Sequence, residues 1–436
     1  MKEADFSIET VADATFKNPL ELPENRAFLT QEDQIAFDPH LKGIKSAMAS
    51  NEPPISFEIA GPREKIAFEP SKTSIAIATC GGLCPGINTV VRSVVHQAWF
   101  RYGVRNIKGV RFGYQGFRPD AEPWFELNPE FVSKINNQGG TVLGTSRGTP
   151  GAKAIVDRLL AENIDIFFAI GGDGTMRGVA AISNEIKSRD LKIAVVGIPK
   201  TIDNDIPYVR RSFGFETASS IASQAIDAAY IEAQAFDRCI GLVRLMGRHS
   251  GYIAATAALA NGHVNICIVP EVPFDLEGPG GLLDLLEKRL EKKRRAVVVI
   301  AEGAGQDLFK NLAGQTDPSG NKKLGNIGEF LKGTLLDYFE KKRDPVAIKY
   351  IDPSYTIRSA PANPADQLLC SRFAQNAVHA AMTGKTAMMI GYWHGRMTHV
   401  PVNALENQTQ RINPKGDLWF NVLETTGQPI EIRSQS

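Results

Sequence analysis

Short apolar runs alternate with amphipathic stretches along most of the chain, and a cluster of glycine or aspartate stands at nearly every junction. From residue 71, "SKTSIAIATC" leads into the turn "GGLCPGIN" and then into "TVVRSVVHQAWFRYG", whose apolar positions recur at helical spacing. That order predicts strand, turn and helix. The unit recurs: "IDIFFAI" runs into "GGDGT" and "MRGVAAISNEIKSRD", and "LKIAVVGIP" runs into "KTIDNDIP". A second series opens near residue 216. There "RCIGLVRLMGRHSGYIAATAALANG" reads as strand, turn and helix, "VNICIVPEVPF" as strand and loop, "GLLDLLEKRLEKKRRA" as an amphipathic helix with a solvated charged face, and "AVVVIAEGAGQ" as strand and turn.

Strands alternating with helices predict an α/β fold with right-handed crossovers and mostly parallel sheets. Ligands of such sheets sit beyond the carboxyl ends of the strands, so the Gly- and Asp-rich turns are expected to converge on a cleft between two α/β domains. The Pro-broken residues 1–70 predict an N-terminal extension. A first domain is expected over 71–215, completed by about 359–408, with a second over 216–358 and a C-terminal extension over 409–436.

With 43% hydrophobic residues, 22% charged residues and 39 glycines, the chain belongs with globular proteins rather than disordered or fibrous ones. A net charge of +1 provides no field to draw nucleic acid or a membrane surface, so neither is an expected partner. The five cysteines are scattered, which suits a reducing compartment. Cys80 and Cys84 lack a second Cys or His cluster to complete a zinc site. The opening "MKEADFSIETVADATF" reads as neither signal nor transit peptide, and no apolar run reaches membrane-spanning length, so a soluble cytoplasmic protein is expected.

The turns carry the chemistry. In "AIGGDGT" a strand ends and a helix opens, so backbone N–H groups and the helix N-terminus form a seat for an anion. Gly171, Gly172 and Gly174 allow close backbone approach, whereas Asp173 brings a negative charge. A bound Mg²⁺ would reconcile the two, and an N-cap role for Asp173 is the structural alternative. The turn "GGLCPGIN" is a second Gly-rich strand-to-helix turn, and Arg147 of "LGTSRG" and Tyr114 of "GYQGF" supply a cation and an aromatic ring to the same edge. The stretch "GIPKTIDNDIP" gathers Lys200, Thr201, Asp203, Asn204 and Asp205 within six positions. Phosphoryl transfer to a sugar hydroxyl needs a base within hydrogen-bond reach, which suits Asp203. Thr201 can hydrogen-bond phosphate or acceptor, Asp205 can hold the cation, and Arg147 can neutralise developing charge. In the second series, Arg248, Lys349 and Arg358 can hold a distal phosphate, Tyr355 stands at the same turns, and Glu302 can accept from sugar hydroxyls. Taken singly, each also fits a surface cation, a helix cap or a packed ring, as does His249.

Together these turns resemble one family, the 6-phosphofructokinases. "GGLCPGIN", "LGTSRG", "GGDGT", "PKTIDND", "LMGRHSG", "VPEVPF" and "AEG" occur in that family's order, from residue 72 to about 360. The resemblance implies glycolytic transfer of a phosphoryl group to the 1-hydroxyl of fructose 6-phosphate with Mg²⁺. It also implies two Rossmann-like three-layer αβα domains with mostly parallel sheets, in a homo-oligomer, dimer or tetramer. By position, Asp203 resembles the catalytic base and Thr201 its neighbour on the transferred phosphate. Asp173 and Asp205 resemble the metal-associated carboxylates. Gly82, Arg147, Gly174 and Thr175 match nucleotide-phosphate positions, and Met246, Gly247, Arg248, Glu302 and Arg358 match sugar-phosphate positions.

Three departures from the bacterial allosteric members stand out: Cys239, preceded by Arg238, replaces an Arg, and Lys349 and Tyr355 stand where those enzymes have Arg and His. They resemble the longer branch of plant, trypanosomal and diphosphate-dependent enzymes. The phosphoryl donor turns on two positions. Lys200 resembles diphosphate users, whereas Gly174 leaves open the space where their second Asp would crowd and repel a nucleotide α-phosphate, so ATP is the expected donor. Alternatives are diphosphate as donor, a lipid or NAD kinase sharing "GGDGT", and a noncatalytic regulatory subunit. The last would be expected to lack carboxylates that are all present here.

Overall fold

The computed structural model describes residues 6–50, 54–312, 314–316, 323–406 and 408–434. Numbered along the chain, the strands of the two principal sheets are β1 (Ser74–Thr79), β2 (Asn106–Val110), β3 (Phe125–Glu126), β4 (Ile166–Gly171), β5 (Ala194–Pro199), β6 (Cys239–Leu245), β7 (Ile266–Ile268), β8 (Arg295–Ala301), β9 (Ala347–Ile351), β10 (Met388–Trp393) and β11 (Arg396–Pro401). Five helices bear on the site: α1 (Ile87–His96), α2 (Asp173–Ser188), α3 (Phe215–Gln234), α4 (Ser354–Ser359) and α5 (Pro364–Met382).

The chain forms two units. The first draws on Met1–Thr201, Ile206–Gly214 and Ser359–Gln408, the second on Ile202–Asp205, Phe215–Arg358 and Thr409–Ser436. Asp203 and Asp205 thus belong to the second unit, although they lie before residue 216 in sequence.

In the first unit the sheet order is β11-β10-β5-β4-β1-β2-β3. Its five central strands run parallel, and β11 and β3 close the edges antiparallel. Every residue of β1, β4 and β5 is buried, as their near-continuous apolar runs require of strands covered on both faces. Helix α1 packs on α5, and its Val90, Val91, Val94 and Val95 are fully buried. Helix α1 continues without a break into a π-helical turn over Gln97–Tyr102.

The N-terminal region pairs more than its sequence suggests. Glu9–Thr10 joins Lys385–Thr386, Phe16–Lys17 joins Lys65–Ile66, and Gln34–Ala36 joins Ser56–Glu58. Beyond Glu58, Ile59 bridges to Thr398 of β11. A buried ion cluster secures this attachment: the Glu58 carboxylate lies 2.6 Å from Arg63 Nη2, 2.8 Å from Lys385 Nζ and 3.4 Å from His399 Nδ1.

The second unit holds a sheet of order β7-β8-β6-β9, parallel throughout. The helix Leu282–Lys293 buries Leu282, Leu283, Leu286 and Leu290 against Val298 and Ile300 of β8. Each such leucine contributes about 1.5–3 kcal/mol by leaving water. The charges of that helix stay outside, as its amphipathic pattern predicts. Among the described residues, no helix is long and apolar enough to cross a membrane.

Candidate active site

In the first unit, β5, β4 and β1 lie side by side and parallel, so the turns that follow them share one edge of the sheet. Main-chain bonds lock these turns together: Lys200 N–H donates to Gly171 O (2.9 Å), Cys80 N–H to Ile170 O (2.8 Å) and Gly81 N–H to Ser146 O (3.1 Å). The Lys200 ammonium is buried and donates to Gly82 O at 2.8 Å, and Thr145 Oγ1 donates to Gly81 O at 2.6 Å. The structure therefore brings Gly82, Lys200, Gly172, Gly174, Thr175 and the Arg147 loop to one place within this unit.

Gly172 is the N-cap of α2 and Asp173 its first helical residue, so the N-cap alternative for Asp173 does not hold. The Asp173 side chain is exposed and ion-paired with Arg177 one helical turn on. Gly174 has ordinary right-handed geometry, and a Cβ there would meet only Arg177 Nη2, at 3.6 Å. At Gly82 a Cβ would find nothing within 4 Å. Packing demands glycine at neither position; what both provide is open space over the turn.

Tyr114 is buried and donates from its hydroxyl to Thr175 O (2.9 Å), with its ring against Gly178. It props the first turn of α2 from below, and burial pushes its phenol pKa up. Two residues that the sequence reading missed stand next to it. Arg111 and Phe112, with Gln115, Arg118 and Glu122, line a cavity of about 150 Å³. Phe112 is held at φ 55° and stays 46% exposed, an unusual geometry for a bulky residue. Its carbonyl accepts from Ser146 Oγ, and Gln115 Nε2 donates to Arg147 O at 3.5 Å, so the cavity adjoins the Arg147 loop.

In the second unit the same logic applies at the ends of β8, β6 and β9. Met246 and Gly247 follow β6, Glu302 follows β8, and α4 follows β9. Gly247 is required by its backbone: φ is 124°, and a Cβ would stand 2.4 Å from Ser250 O. The stretch 202–205 lies against this edge. Arg248 N–H donates to Asp203 Oδ2 (3.3 Å) and Ser250 Oγ to Asp203 O (2.9 Å). Gln410 donates from its main chain to Asp205 O (2.8 Å) and from its side chain to Asn204 O (2.9 Å). Asn204 supplies the left-handed φ of 55° that turns the chain between the two aspartates.

Asp203 is the perturbed group of this set. Burial, then the Asp205 and Glu302 carboxylates, raise its pKa to about 7, against the pull of the Arg248 N–H and the Arg358 guanidinium. Arg358 Nε lies 3.2 Å from Met246 Sδ, and the Glu302 carboxylate accepts from Arg244 Nη2 at 2.7 Å. Arg244 is another residue missed from sequence, because it sits inside an apolar strand.

Lys349 and Tyr355 depart from expectation. Lys349 lies within β9 rather than past its end, with its ammonium 3.3 Å from Glu232 Oε2 and 3.8 Å from the Phe236 ring centroid. Tyr355 is 87% exposed on the first turn of α4. It stands three residues before Arg358 on the same helix. All five cysteines are buried and none forms a disulfide, and Cys84 Sγ donates to Phe213 O at 3.3 Å.

A family model described as Phosphofructokinase matches residues 74–381. An ATP-dependent 6-phosphofructokinase of Borreliella burgdorferi is 47% identical over 99% of this chain and 98% of its own length. One from Arabidopsis thaliana, ATP-dependent 6-phosphofructokinase 1, is 42% identical over 97% of this chain and 90% of its own. Among solved structures, a pyrophosphate-dependent phosphofructokinase from Marinobacter aquaeolei aligns with a TM-score of 0.66 at 20% identity, covering 84% of this chain and 92% of that one. That last likeness is one of fold.

Proposed function

The chain belongs to the phosphofructokinase family, and from that premise we infer that it transfers the γ-phosphoryl group of ATP to the 1-hydroxyl of fructose 6-phosphate, giving fructose 1,6-bisphosphate and ADP. The observation that carries the reading is Asp203, a carboxylate whose pKa of about 7 is matched to taking a proton near neutrality. As the sugar oxygen bonds to phosphorus and the bond to the leaving diphosphate oxygen breaks, the hydroxyl proton passes to Asp203. Thr201 and Arg147 stabilise the transferred group, and the Gly172–Thr175 turn and the Gly82 turn receive the donor phosphates through main-chain N–H groups. The cavity lined by Arg111 and Phe112 takes the nucleoside end. Met246, Gly247, Arg248, Glu302 and Arg358 form the sugar-phosphate side.

Mg²⁺ fits these residues. Asp205 crowds Asp203 with like charge, which a cation relieves, and Mg²⁺ needs only one or two protein carboxylates besides phosphate and water. In the second unit Asp205 would hold the ion, which neutralises phosphate charge when bound; in the first, Asp173 offers a carboxylate at the donor-phosphate turn. A homo-oligomer, dimer or tetramer, is the assembly that membership of this family suggests, to be read by light scattering.

The test is product identification by phosphorus NMR after incubating purified protein with ATP, fructose 6-phosphate and Mg²⁺. Fructose 1,6-bisphosphate and ADP in equal amounts support the reading. No sugar bisphosphate, with ATP consumed only when another acceptor is supplied, overturns it.

A further inference from the structure

The order β8-β6-β9 sets β6 between the two strands that lead to Glu302 and to α4. The registers are parallel: Leu245 of β6 lies beside Ala301 of β8, and Val243 beside Ile351 of β9. Arg244, near the end of the middle strand, is therefore flanked by Glu302, just past Ala301, and by Asp352, just past Ile351. Its guanidinium reaches both, with Nη2 2.7 Å from Glu302 Oε2 and Nη1 2.6 Å from Asp352 Oδ2. Asp352 in turn accepts from Ser354 N–H (3.1 Å) and Ser354 Oγ (2.5 Å), the first residue of α4, which carries Arg358. Ser354 and Arg244 hold the Asp352 pKa below the usual range even though burial acts against them.

We propose that Arg244 is a positioning residue for sugar-phosphate recognition: by holding one oxygen of Glu302 and, through Asp352, the start of the helix that bears Arg358, it fixes both groups at one strand edge. The inference rests on the reading of Glu302 as a sugar-binding group. Among the described residues Arg244 is the hydrogen-bond partner of the Glu302 carboxylate, which leaves the second oxygen, Oε1, for a substrate hydroxyl. The side chains of Arg244 and Glu302 are each only 16% exposed, so solvent screens this pair weakly. A planar guanidinium can serve two carboxylates on two strands at once, whereas a lysine ammonium is a single point charge on a loose stem.

A kinetic double-mutant cycle tests this with Arg244→Met, Glu302→Gln, both together, and Arg244→Lys. Arg244→Met is expected to raise KM for fructose 6-phosphate about tenfold, a typical coupling for contacting charged groups, with KM for ATP changed less than about twofold. The double variant is expected to match Arg244→Met within about twofold, and Arg244→Lys to recover part of the loss. Arg244→Met with a lowered Tm and an unmoved sugar KM makes the residue structural only and overturns the inference. So do losses that multiply in the double variant. If Glu302→Gln leaves the sugar KM unchanged, the sugar-binding reading falls and takes this inference with it; if only Arg244→Met fails to raise KM, the inference alone falls.

Discussion

Replacing Gly174 by Asp asks whether open space at the start of α2 selects the donor. The fold should accept the change, since a Cβ at 174 meets only Arg177 Nη2 at 3.6 Å and the backbone is right-handed. An acid in the first turn of a helix is, if anything, slightly stabilising. The carboxylate would, however, project where a nucleotide α-phosphate is proposed to lie. Two unit charges about 4 Å apart repel by about 4 kcal/mol at the effective dielectric of a protein surface. Arg177, close enough to pair with the new acid, should cancel part of that, which leaves about 2–3 kcal/mol, or roughly a 30- to 150-fold fall in kcat/KM for ATP. Diphosphate has no third phosphate, so any residual rate with it should change far less. The assay is a coupled initial-rate measurement with each donor at fixed fructose 6-phosphate and Mg²⁺, with Tm recorded in parallel. Equal losses with both donors, or an ATP loss below about threefold in a folded variant, would refute the steric and electrostatic argument.

Two further outcomes follow from titrating groups. Asp203 must be ionised to take a proton, and burial with the Asp205 and Glu302 carboxylates raises its pKa, so kcat/KM for fructose 6-phosphate should fall in the acid range, at a pH set by how far bound Mg²⁺ offsets the Asp205 charge; a flat profile from about pH 5 to pH 8 would mean that another group acts. Stability should run the other way: the folded pKa is raised above the ordinary value of 3.8, so its contribution is full below that value and is lost as pH rises towards 7. Glu58→Gln leaves Arg63, Lys385 and His399 without their anion and should cost about 3–5 kcal/mol, read by urea unfolding at pH 7. In the unmodified protein, burial depresses the His399 pKa from 6.5 to about 4, so that contribution is present above 6.5 and lost as pH falls to 4. Net lowering of the Glu58 pKa by His399 and Lys385, despite burial, adds a second loss that begins below about 4.5. Because the Asp203 and His399 contributions oppose one another between pH 7 and about pH 4.5, the cluster is read from Glu58→Gln at pH 7, where a cost below about 1 kcal/mol would contradict its role.

The parallel core was legible because strands buried on both faces read as unbroken apolar runs, and the turns because glycine and aspartate mark them. The edges were not. β3 is two residues long, and β10 and β11 form a hairpin whose Gly, Tyr, Trp and His residues do not alternate cleanly. The pairing of Ser56–Glu58 with Gln34–Ala36, and its reach to β11, depends on partners far along the chain. Arg244 illustrates the same limit inside the site. In "GLVRLMG" it reads as an interruption in a strand, and only the neighbouring strands reveal the two carboxylates that it joins. Lys349 errs the other way: proximity in sequence to "IDPSY" suggested a site residue, but its place within β9 directs it to Glu232.

The central claim is that Asp203 accepts the proton of the attacking hydroxyl, and Asp203→Asn tests it most directly because Asn keeps the shape and removes the basicity. The account predicts a fall in kcat of about 10²- to 10⁴-fold, with the fructose 6-phosphate dissociation constant, measured calorimetrically, changed by less than about threefold. A folded variant that keeps more than about a tenth of the original kcat would contradict it.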